Sequence, residues 1–384
     1  MGILEAVRAH IVKEPGTLMV DREGKRRAYF AMRETGRGDA SLSSEYEIMR
    51  GDLCRVITDL STKEGAVYRY GAVLKEMKQG EDGVRVRFEG TETEEVFDLV
   101  AGCDGVRSAT RRMMLGEGAA DPFVSTSGAI AWGSVPTEEG DTNDFTIFPA
   151  AGKRVIATRQ DKPDCLRVIF ITSGLPEDHP IRVAIRTGDS MGQRKAWAEH
   201  FRGIGWKSDR FTRDILESPL AEDWHGSEMG QVRMSKWYDG RVALVGDAGY
   251  SPSPAGWGTA MAFTGAYVLA GELARHCGLS AGATSMTTDQ KKKAQRAIPE
   301  ALVSYDRVLR PLVTKVQKAG NAGEGLSDSQ FSVNLFLFIV GWVERLKLDQ
   351  LLMRWANGGG SDFGWKLPEY AELGSLEGSQ AQKH

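Results

Sequence analysis

Two acidic residues of this 384-residue chain each stand between a strand-like run and a helical one. Asp247 follows the apolar run 241–245, RVALV, and precedes a loop rich in Pro and Gly. Asp104 follows the run 97–101 and lies in the tight turn Gly-Cys-Asp-Gly. Ligands of open α/β sheets collect at the carboxyl ends of strands. A carboxylate there can accept hydrogen bonds from sugar-type hydroxyls, so both positions are candidate ligand contacts.

The loop after Asp247 predicts an anion-binding helix mouth. Its glycines bring bare backbone N–H groups to the start of a long apolar helix over 258–276, and a helix N-terminus favours phosphate or a charged ring edge. The candidate contacts on this segment are Gly246, Pro254, Gly256, Gly258 and Ala260. The alternative is an ordinary strand–loop–helix with an Asp cap, and for Asp104 an ordinary capped strand–turn–helix.

A third candidate is Arg50, in the segment 47–53, EIMRGDL. A strand over 45–49 ends there, and apolar spacing after it predicts a helix. An arginine at that junction can reach a phosphate with its guanidinium. The alternative is a solvated surface arginine.

Composition excludes several classes of protein. The chain has 49 basic and 52 acidic residues, a formal charge of −3, so it carries no global field for nucleic acid. Its most apolar run, 331–343, is too short to span a bilayer and predicts a buried or interface helix. The six histidines have no metal-ligand spacing, and we predict no metal site. The four cysteines form no C-x-x-C pair and no signal peptide is evident, which predicts reduced thiols in the cytoplasm.

Hydrophobic periodicity outlines the elements that must position these residues. Helices are expected over 1–11, from 50, 108–115 with Ser108 as cap, 193–201, 258–276 and 305–317. Strands are expected over 17–20, 27–32, 45–49, 73–78, 84–88, 97–101, 145–148, 154–158, 166–172 and 241–245. The stretch from about 120 to 230 reads as a separate sheet layer with one helix. The end of the chain, from 357, is polar and predicts a loosely held tail.

Together the three motifs resemble those of the class A FAD-dependent monooxygenases of the aromatic-hydroxylase type. The nearest branch contains tetracycline-inactivating enzymes and their fungal secondary-metabolism relatives. The family's R-x-x-L motif is matched at 50–53, its Asp-Gly motif at 102–112, GCDGVRSATRR, and its Gly-Asp motif at 240–262. The resemblance spans about 1–317.

The resemblance implies an α/β fold with a doubly wound FAD-binding domain, an inserted β-sheet substrate domain and a helical C-terminus. The implied domains are 1–118 and 233–325 for the two parts of the FAD-binding domain, 119–232 for the substrate sheet, and 326–384 for the C-terminal helix and tail. The resemblance also implies that the doubly wound domain is N-terminally incomplete and lacks its first βαβ unit.

The resemblance also implies roles for the candidate residues. Arg50 would contact the ribityl–pyrophosphate region of FAD, and Asp104 would lie near the pyrophosphate and the approach of the reductant. Asp247 would hold a ribityl hydroxyl, while the backbone of 254–260 would face the flavin pyrimidine edge. The reaction would be NADPH- and O2-dependent hydroxylation or epoxidation of an aromatic or polyketide-like small molecule in secondary metabolism. No dedicated acid or base is required, so no catalytic side chain is named.

Four aromatic residues fall in or beside the expected substrate layer. They are Trp132, Phe145, Phe148 and Trp224. Two interpretations are open. They line an apolar pocket for a polycyclic or aromatic substrate, or they are ordinary core aromatics, which is the commoner outcome for such residues.

The sequence departs from the family pattern at its start. The family begins with a strand, a G-x-G-x-x-G turn and a helix, and none of these 384 residues supplies that unit. Roughly 45 to 50 residues are expected to be absent by the usual size of such a unit. An incomplete gene model is the preferred explanation. The other is a short protein that has lost flavin and acts as a cyclase, an isomerase or an inactive binding protein.

Overall fold

The computed structural model describes residues 3–32, 46–252, 256–279, 286–320, 327–348 and 364–374. The chain forms two compact units, each assembled from three separate stretches. The first unit comprises Met1–Tyr68, Thr126–Met229 and Glu324–Ser361, and the second comprises Arg69–Ser125, Gly230–Gly323 and Asp362–His384. The domain limits at 118, 232 and 325 stay predictions.

The α/β fold class is confirmed, and the bounds of the elements are as follows. The helices are α1 (Ile3–Arg8), α2 (Arg50–Lys63), α3 (Ala109–Leu115), α4 (Pro180–Thr187), α5 (Ser190–Phe201), α6 (Ser208–Glu217), α7 (Asp247–Tyr250), α8 (Gly258–Cys277), α9 (Thr288–Gly320) and α10 (Gln330–Arg345). The strands are β1 (Gly16–Val20), β2 (Arg26–Ala31), β3 (Leu74–Gly80), β4 (Gly83–Phe88), β5 (Glu95–Phe97), β6 (Val100–Gly102), β7 (Phe123–Pro136), β8 (Phe145–Ala150), β9 (Arg154–Lys162), β10 (Cys165–Thr172), β11 (His225–Val232), β12 (Tyr238–Asp239) and β13 (Val242–Leu244).

The first unit is built on a seven-stranded sheet in the order β11-β7-β10-β9-β8-β1-β2. Burial alternates along β8 and β10 because successive side chains point to opposite faces. On one face, Phe148 and Phe170 pack against Trp197 and Phe211 from the helices α5 and α6. This apolar layer covers one face of the sheet, and α10 packs on part of the other face through Val333 and Leu337.

Three helices, α4, α5 and α6, cover the face of the sheet that carries Phe148 and Phe170. The sequence predicted only one helix in this region, over 193–201. The capping residues of α4 were the missed signal: Pro180 stands at its first turn and His179 accepts a hydrogen bond from the Ile181 N–H. In α6, Phe211 and Ile215 are four residues apart and both fully buried, which is the spacing of one helical face.

The predicted hairpin over 17–32 forms and joins the large sheet. Its first strand, β1, pairs in parallel with β8, at Leu18 against Thr146. The prediction of a strand over 45–49 is wrong. Among its described residues, 46–49, Ile48 makes a single isolated bridge to Ile11 and no strand forms. Because the helix α2 begins at Arg50, the pairing at Ile48 cannot extend into a β-ladder.

The second unit contains two three-stranded sheets, β12-β13-β6 and β3-β4-β5. All three residues of β13 are fully buried, as its continuous apolar run predicted. The long helices α8 and α9 pack together, and α9 passes through both Pro299 and Pro311. The predicted helix over 305–317 is therefore only part of a much longer one.

The stretch 364–374 corrects the expectation of a loose tail from 357. Tyr370 in this stretch is buried, and its hydroxyl donates to the Glu272 carboxylate of α8 at 2.7 Å. Gly271 makes room for the ring, because a Cβ there would overlap Tyr370. Residues beyond 374 lie outside the described part of the chain.

Candidate functional site

The two strand-end motifs lie side by side in the second unit. Strands β6 and β13 are parallel, with Val100 opposite Val242 and Gly102 opposite Leu244, and the Val245 N–H donates to the Gly102 carbonyl at 2.9 Å. Strand β6 ends two residues before Asp104, and strand β13 ends two residues before Gly246. Both motifs therefore emerge at the same level of one sheet edge, the position where α/β proteins bind ligands.

Gly246 turns the chain sharply at this edge. It is buried and has φ +63° and ψ −138°, a conformation that an L-residue rarely adopts. The short helix α7 begins at the next residue, so the half-buried Asp247 stands directly above the end of β13. A side chain at position 246 would disturb this turn and misplace the carboxylate.

The start of α8 lies close to that carboxylate. A Cβ on Gly258 would come within 3.8 Å of Asp247 Oδ1. The N-cap of the helix, Trp257, provides no side-chain hydrogen bond to the first turn. Gly256 and Ala260 are exposed beside it, whereas Pro254 lies outside the described residues. A 20-residue helix thus presents its backbone N–H groups next to Asp247, which suits a ligand that carries both hydroxyls and negative charge.

Asp104 shapes the neighbouring turn. One carboxylate oxygen accepts from the Ser108 hydroxyl at 2.5 Å, and the other accepts from the backbone and hydroxyl of Thr110 at 2.9 and 3.0 Å. Burial raises the pKa of Asp104, but these hydrogen bonds outweigh it and hold the pKa below its usual value. The carboxylate therefore stays ionised and fixes the first turn of α3, and its contact with a pyrophosphate stays a prediction.

Arg111 links the two motifs, and the sequence analysis missed it. Its fully buried guanidinium donates to the Ala248 carbonyl at 2.8 Å and to the Val106 carbonyl at 2.6 Å, and it pairs with Asp121 at 3.1 Å. One carbonyl belongs to the Gly-Asp segment and the other to the Asp-Gly segment. The only signal in the sequence was the basic pair 111–112 inside a predicted helix. The apolar residues of that helix do not by themselves explain why Arg111 is buried.

Two glutamines clamp the chain just before the glycine-rich loop. Gln317 donates to the carbonyls of Val232 and Ser251 at 2.9 and 3.1 Å. Gln231 donates to the Pro252 carbonyl at 3.1 Å and to the backbone carbonyl of Gln317 at 2.7 Å. Buried backbone carbonyls need such partners, so residues 251 and 252 are held in one conformation.

A buried tyrosine pair supports the end of β13. The Tyr305 hydroxyl donates to the Leu244 carbonyl at 3.0 Å and lies 3.1 Å from the Tyr250 hydroxyl. Burial raises the pKa of Tyr250 to about 12 and also holds the pKa of Tyr305 well above its usual value, so both hydroxyls remain neutral. Trp237 packs on Tyr250, with ring centroids 4.7 Å apart. The Gly-Asp turn thus rests on a rigid aromatic base.

Arg50 belongs to the first unit and is the first residue of α2. Its side chain is exposed and makes no hydrogen bond or ion pair with the part of the chain that the structure describes. The positive end of a helix dipole disfavours a cation at this position. An anionic ligand would offset this unfavourable placement, and the contact of Arg50 with the ribityl–pyrophosphate region stays a prediction.

The second face of the large sheet carries an apolar row. Trp132, Ile169, Ala157 and Ile147 are neighbours across β7, β10, β9 and β8. The Trp132 ring lies 4.8 Å from that of His225 between centroids. Ala157 is buried and Ile147 packs against the α10 cluster, so only the half-buried Trp132 and Ile169 offer apolar surface that suits a ring system.

Charged residues flank the row on the same face. Arg159 lies over the Phe145 ring at 4.9 Å and pairs with Glu47 at 2.5 Å. Of the four aromatics singled out by sequence, Trp132 and Phe145 lie on this face. Phe148 and Trp224 lie in the core against the helices, so the core interpretation is correct for those two.

Comparison with known proteins identifies the family of this chain. The family model described as "FAD binding domain" matches residues 1–304. The FAD-dependent monooxygenase asL4 of Sarocladium schorii is 32% identical over 385 aligned positions, covering 97% of this chain and 86% of asL4. The flavin-dependent monooxygenase eupH of a Phoma species is 31% identical over 394 positions, with 97% and 86% covered.

Among solved structures, the tetracycline destructase Tet(55) superposes with a TM-score of 0.69 and 27% identity, over 96% of this chain and 84% of its own. The architecture, the aligned strand-end motifs and these relatives agree. This chain is a member of the class A FAD-dependent monooxygenases, an oxidoreductase family.

Proposed function

We propose that this protein uses NADPH and O2 to hydroxylate or epoxidise an aromatic or polycyclic, polyketide-like small molecule in secondary metabolism. The cofactor class follows from the family. The reductant, the oxidant and the substrate class are supported by the family resemblance and by the apolar face of the first unit. The four free cysteines suit a reducing compartment, which supports a cytoplasmic location.

The observation that carries the proposal is the alignment of the Asp-Gly and Gly-Asp motifs in front of α8. The donor set fits part of FAD: the Asp247 carboxylate can accept from a sugar-type hydroxyl, and the backbone of Gly258 and Ala260 offers N–H groups at a positive helix end. A Cβ at position 246 would lie 3.1 Å from the Ala262 Cβ of α8, so glycine lets the turn approach that helix. The residues present therefore fit the ribityl and ring-edge portion of the group.

When bound, the flavin supplies hydride acceptance and oxygen activation, which no amino-acid side chain provides. The residues of this chain bind and orient it. Asp247 fixes a hydroxyl, and the first turn of α8 stabilises negative charge at the ring edge without moving a proton. Arg50 offers its guanidinium to phosphate oxygens. Arg111 and the Gln231–Gln317 clamp keep the two motifs in place.

The substrate class is proposed from the sheet face. Trp132 and Ile169 offer an apolar surface, and Arg159 beside Phe145 is already paired with Glu14 and Glu47. A polycyclic substrate matches the apolar surface, since its rings can stack on Trp132 and Ile169. Tetracycline is one member of this chemical class, and the similarity to a tetracycline destructase makes it a reasonable probe.

The test is a titration of the purified chain with FAD, followed by absorbance near 450 nm and quenching of flavin fluorescence. Asp247→Asn should weaken binding about tenfold or more, because a charged hydrogen bond is lost. Asp98→Asn is the matched control: it lies near the other end of β6 and accepts from Gln295 at 2.7 Å. NADPH oxidation is then measured with and without polycyclic phenols, including tetracycline.

A flavin-free cyclase, isomerase or binding protein is the alternative. It predicts a folded protein that binds a polycyclic ligand but neither quenches FAD fluorescence nor oxidises NADPH. The same titration therefore separates the two functions.

A further inference from the structure

The helix α10 is apolar on two opposite faces. Val333 and Leu337 are buried against Met19 and Phe30 of the sheet, and Val340 and Val343 pack partly with them. The opposite face carries large apolar side chains that stay open to solvent, and we call it the outer stripe. Its members are Phe331, Leu335, Phe338, Ile339, Trp342 and Leu346.

The outer stripe has the spacing of a helix–helix seam. Phe331, Leu335, Phe338 and Trp342 are separated by four, three and four residues, which places them on one side of a helix and resembles an a/d repeat. Phe331 is 77% exposed and Phe338 is 55% exposed. A soluble chain rarely leaves a row of this kind in water without a partner.

The scarcity of charged residues on α10 disfavours a lipid surface as the partner. An amphipathic helix that lies in a membrane interface needs a charged face toward the headgroups. In α10 that position is occupied by Val333 and Leu337 against the sheet, and the only charged residues of the helix are Glu344 and Arg345 at its end. The glutamate is already paired with Arg26 at 2.6 Å. A protein partner fits better than a lipid surface.

Area and charge select a second copy of this chain. Six half-exposed large side chains offer about 600 Å² per chain, so a symmetric pair would bury roughly 1,200 Å², which reaches the size of a specific interface. The stripe itself is uncharged and so complementary to itself. In an antiparallel pair, Arg345 of one copy lies near Asn334 of the other and opposite helix ends meet, whereas a parallel pair would place arginine against arginine.

We propose that this protein forms a two-fold symmetric dimer through antiparallel packing of the outer stripes of two α10 helices. In that arrangement Leu335 of one copy meets Trp342 of the other, twice, and Phe338 lies near the symmetry axis. The interface is isologous, so one substitution acts at two contacts. The proposal is independent of the reaction that the enzyme performs.

The test is sedimentation velocity of the full chain, loaded with FAD if it binds, over about 1 to 100 µM. The wild type should be a dimer. Leu335→Lys and Trp342→Glu should each raise the dissociation constant at least about 100-fold, because a charge enters the apolar seam at two contacts. The double variant L335K/W342E should regain the dimer, because antiparallel packing sets each new lysine against a new glutamate.

The control is Val67→Glu, at an almost fully exposed apolar residue in the same unit, which should leave the dimer unchanged. Circular dichroism and melting show that each variant is folded. A monomeric wild type at every concentration would overturn the proposal, as would dimers that survive both single substitutions. A monomer that floats with phosphatidylcholine–phosphatidylserine vesicles would assign the outer stripe to a membrane instead. Failure of the double variant to recover would exclude the antiparallel geometry.

Discussion

The guanidinium of Arg111 donates to the main-chain carbonyl of Ala248 at 2.8 Å, across 137 residues of sequence. The same group holds the Val106 carbonyl. Two motifs that each look complete in the sequence are therefore joined by a side chain that is fully buried between them. Because the donors of arginine form a rigid fork, the distance between the two loops is fixed by covalent geometry.

Arg111→Lys is expected to loosen this link while keeping the charge. A single ammonium cannot reach both carbonyls, so one buried acceptor loses its partner at a cost of about 1–3 kcal/mol. Thermal unfolding should shift down accordingly, and FAD affinity should fall about tenfold.

The matched control for Arg111→Lys is Arg112→Lys. Arg112 is the exposed neighbour on the same helix and donates only to the Arg107 carbonyl. Equal effects of the two substitutions would show that charge on α3, rather than the bridge, is what matters.

Gln317→Leu is expected to release the chain before the glycine-rich loop. The substitution removes the side-chain donor to the carbonyls of Val232 and Ser251, both of which are buried. The Ser251 carbonyl keeps the Val232 N–H at 3.3 Å, so the Val232 carbonyl loses more. Stability should fall by roughly 2 kcal/mol, and amide hydrogen exchange should rise at 251 and 252. FAD affinity should fall with it.

On the same helix, Gln295→Leu provides the comparison for Gln317→Leu. Gln295 donates to the exposed Asp98, and its loss should change neither exchange nor affinity. A Gln317→Leu protein with wild-type exchange at 251 and 252 would contradict a clamping role.

Local patterns were sufficient to locate the strand-end motifs. The run 241–245 and its Gly-Asp ending predict a buried strand followed by a sharp turn, and the structure has both. The same holds for Ser108, whose hydroxyl caps α3 as expected by accepting from the Arg111 N–H. These features depend on neighbours within a few residues, which a sequence displays directly.

Long-range contacts were beyond such reasoning. The pairing of β1 with β8 joins segments more than a hundred residues apart, and nothing near Leu18 indicates it. The burial of Arg111 likewise depends on carbonyls supplied by another part of the chain. The strand expected over 45–49 had the right alternation but no partner strand along its length.

Arg50→Met is expected to weaken cofactor binding without affecting the fold. The side chain is exposed, so stability should change by less than about 0.5 kcal/mol. If the guanidinium contacts phosphate, FAD affinity should fall about tenfold and its dependence on salt should become shallower.

Arg55→Met tests the specificity of the Arg50 result. Arg55 lies one turn further along α2 and pairs with Asp52 at 3.1 Å. An equal loss of FAD affinity in the two variants would point to the overall charge of α2 and not to a defined phosphate contact.

The pH dependence of the free energy of unfolding should reflect the titration of His200. Burial, together with the nearby His179 and Arg154, lowers the pKa of His200 to about 4 from an ordinary value of 6.5. Between these two values the unfolded chain binds a proton that the folded chain does not. Stability should therefore be complete above about pH 6.5, fall as the pH drops toward 4, and then level off for this group.

His200→Gln keeps a polar partner for the Thr172 hydroxyl, which lies 3.0 Å from the ring. It should flatten the acid side of the melting-temperature profile between pH 6.5 and 4. His225→Gln serves as the comparison, since that histidine is exposed. An unchanged acid slope in His200→Gln would assign the acid sensitivity to other groups.

Substitutions at Trp132 and Phe148 test substrate binding and folding separately. Trp132 lies on the second face of the sheet, half-buried, whereas Phe148 is buried in the opposite layer. Phe148→Ala should cost about 3–5 kcal/mol of stability, because it opens a cavity in a packed core. Trp132→Ala should cost less stability but remove much of the flat surface that a ring system would contact.

The measurement for this pair is binding of a polycyclic phenol, by calorimetry, beside a denaturant melt of each variant. We expect Trp132→Ala to weaken ligand binding about tenfold or more, which corresponds to the loss of one aromatic contact of roughly 1.5 kcal/mol. Trp132→Phe should retain part of that affinity because a ring is still present. If Trp132→Ala binds the ligand as the wild type does, the second face of the sheet is not the substrate surface, and only the FAD half of the proposed function stands.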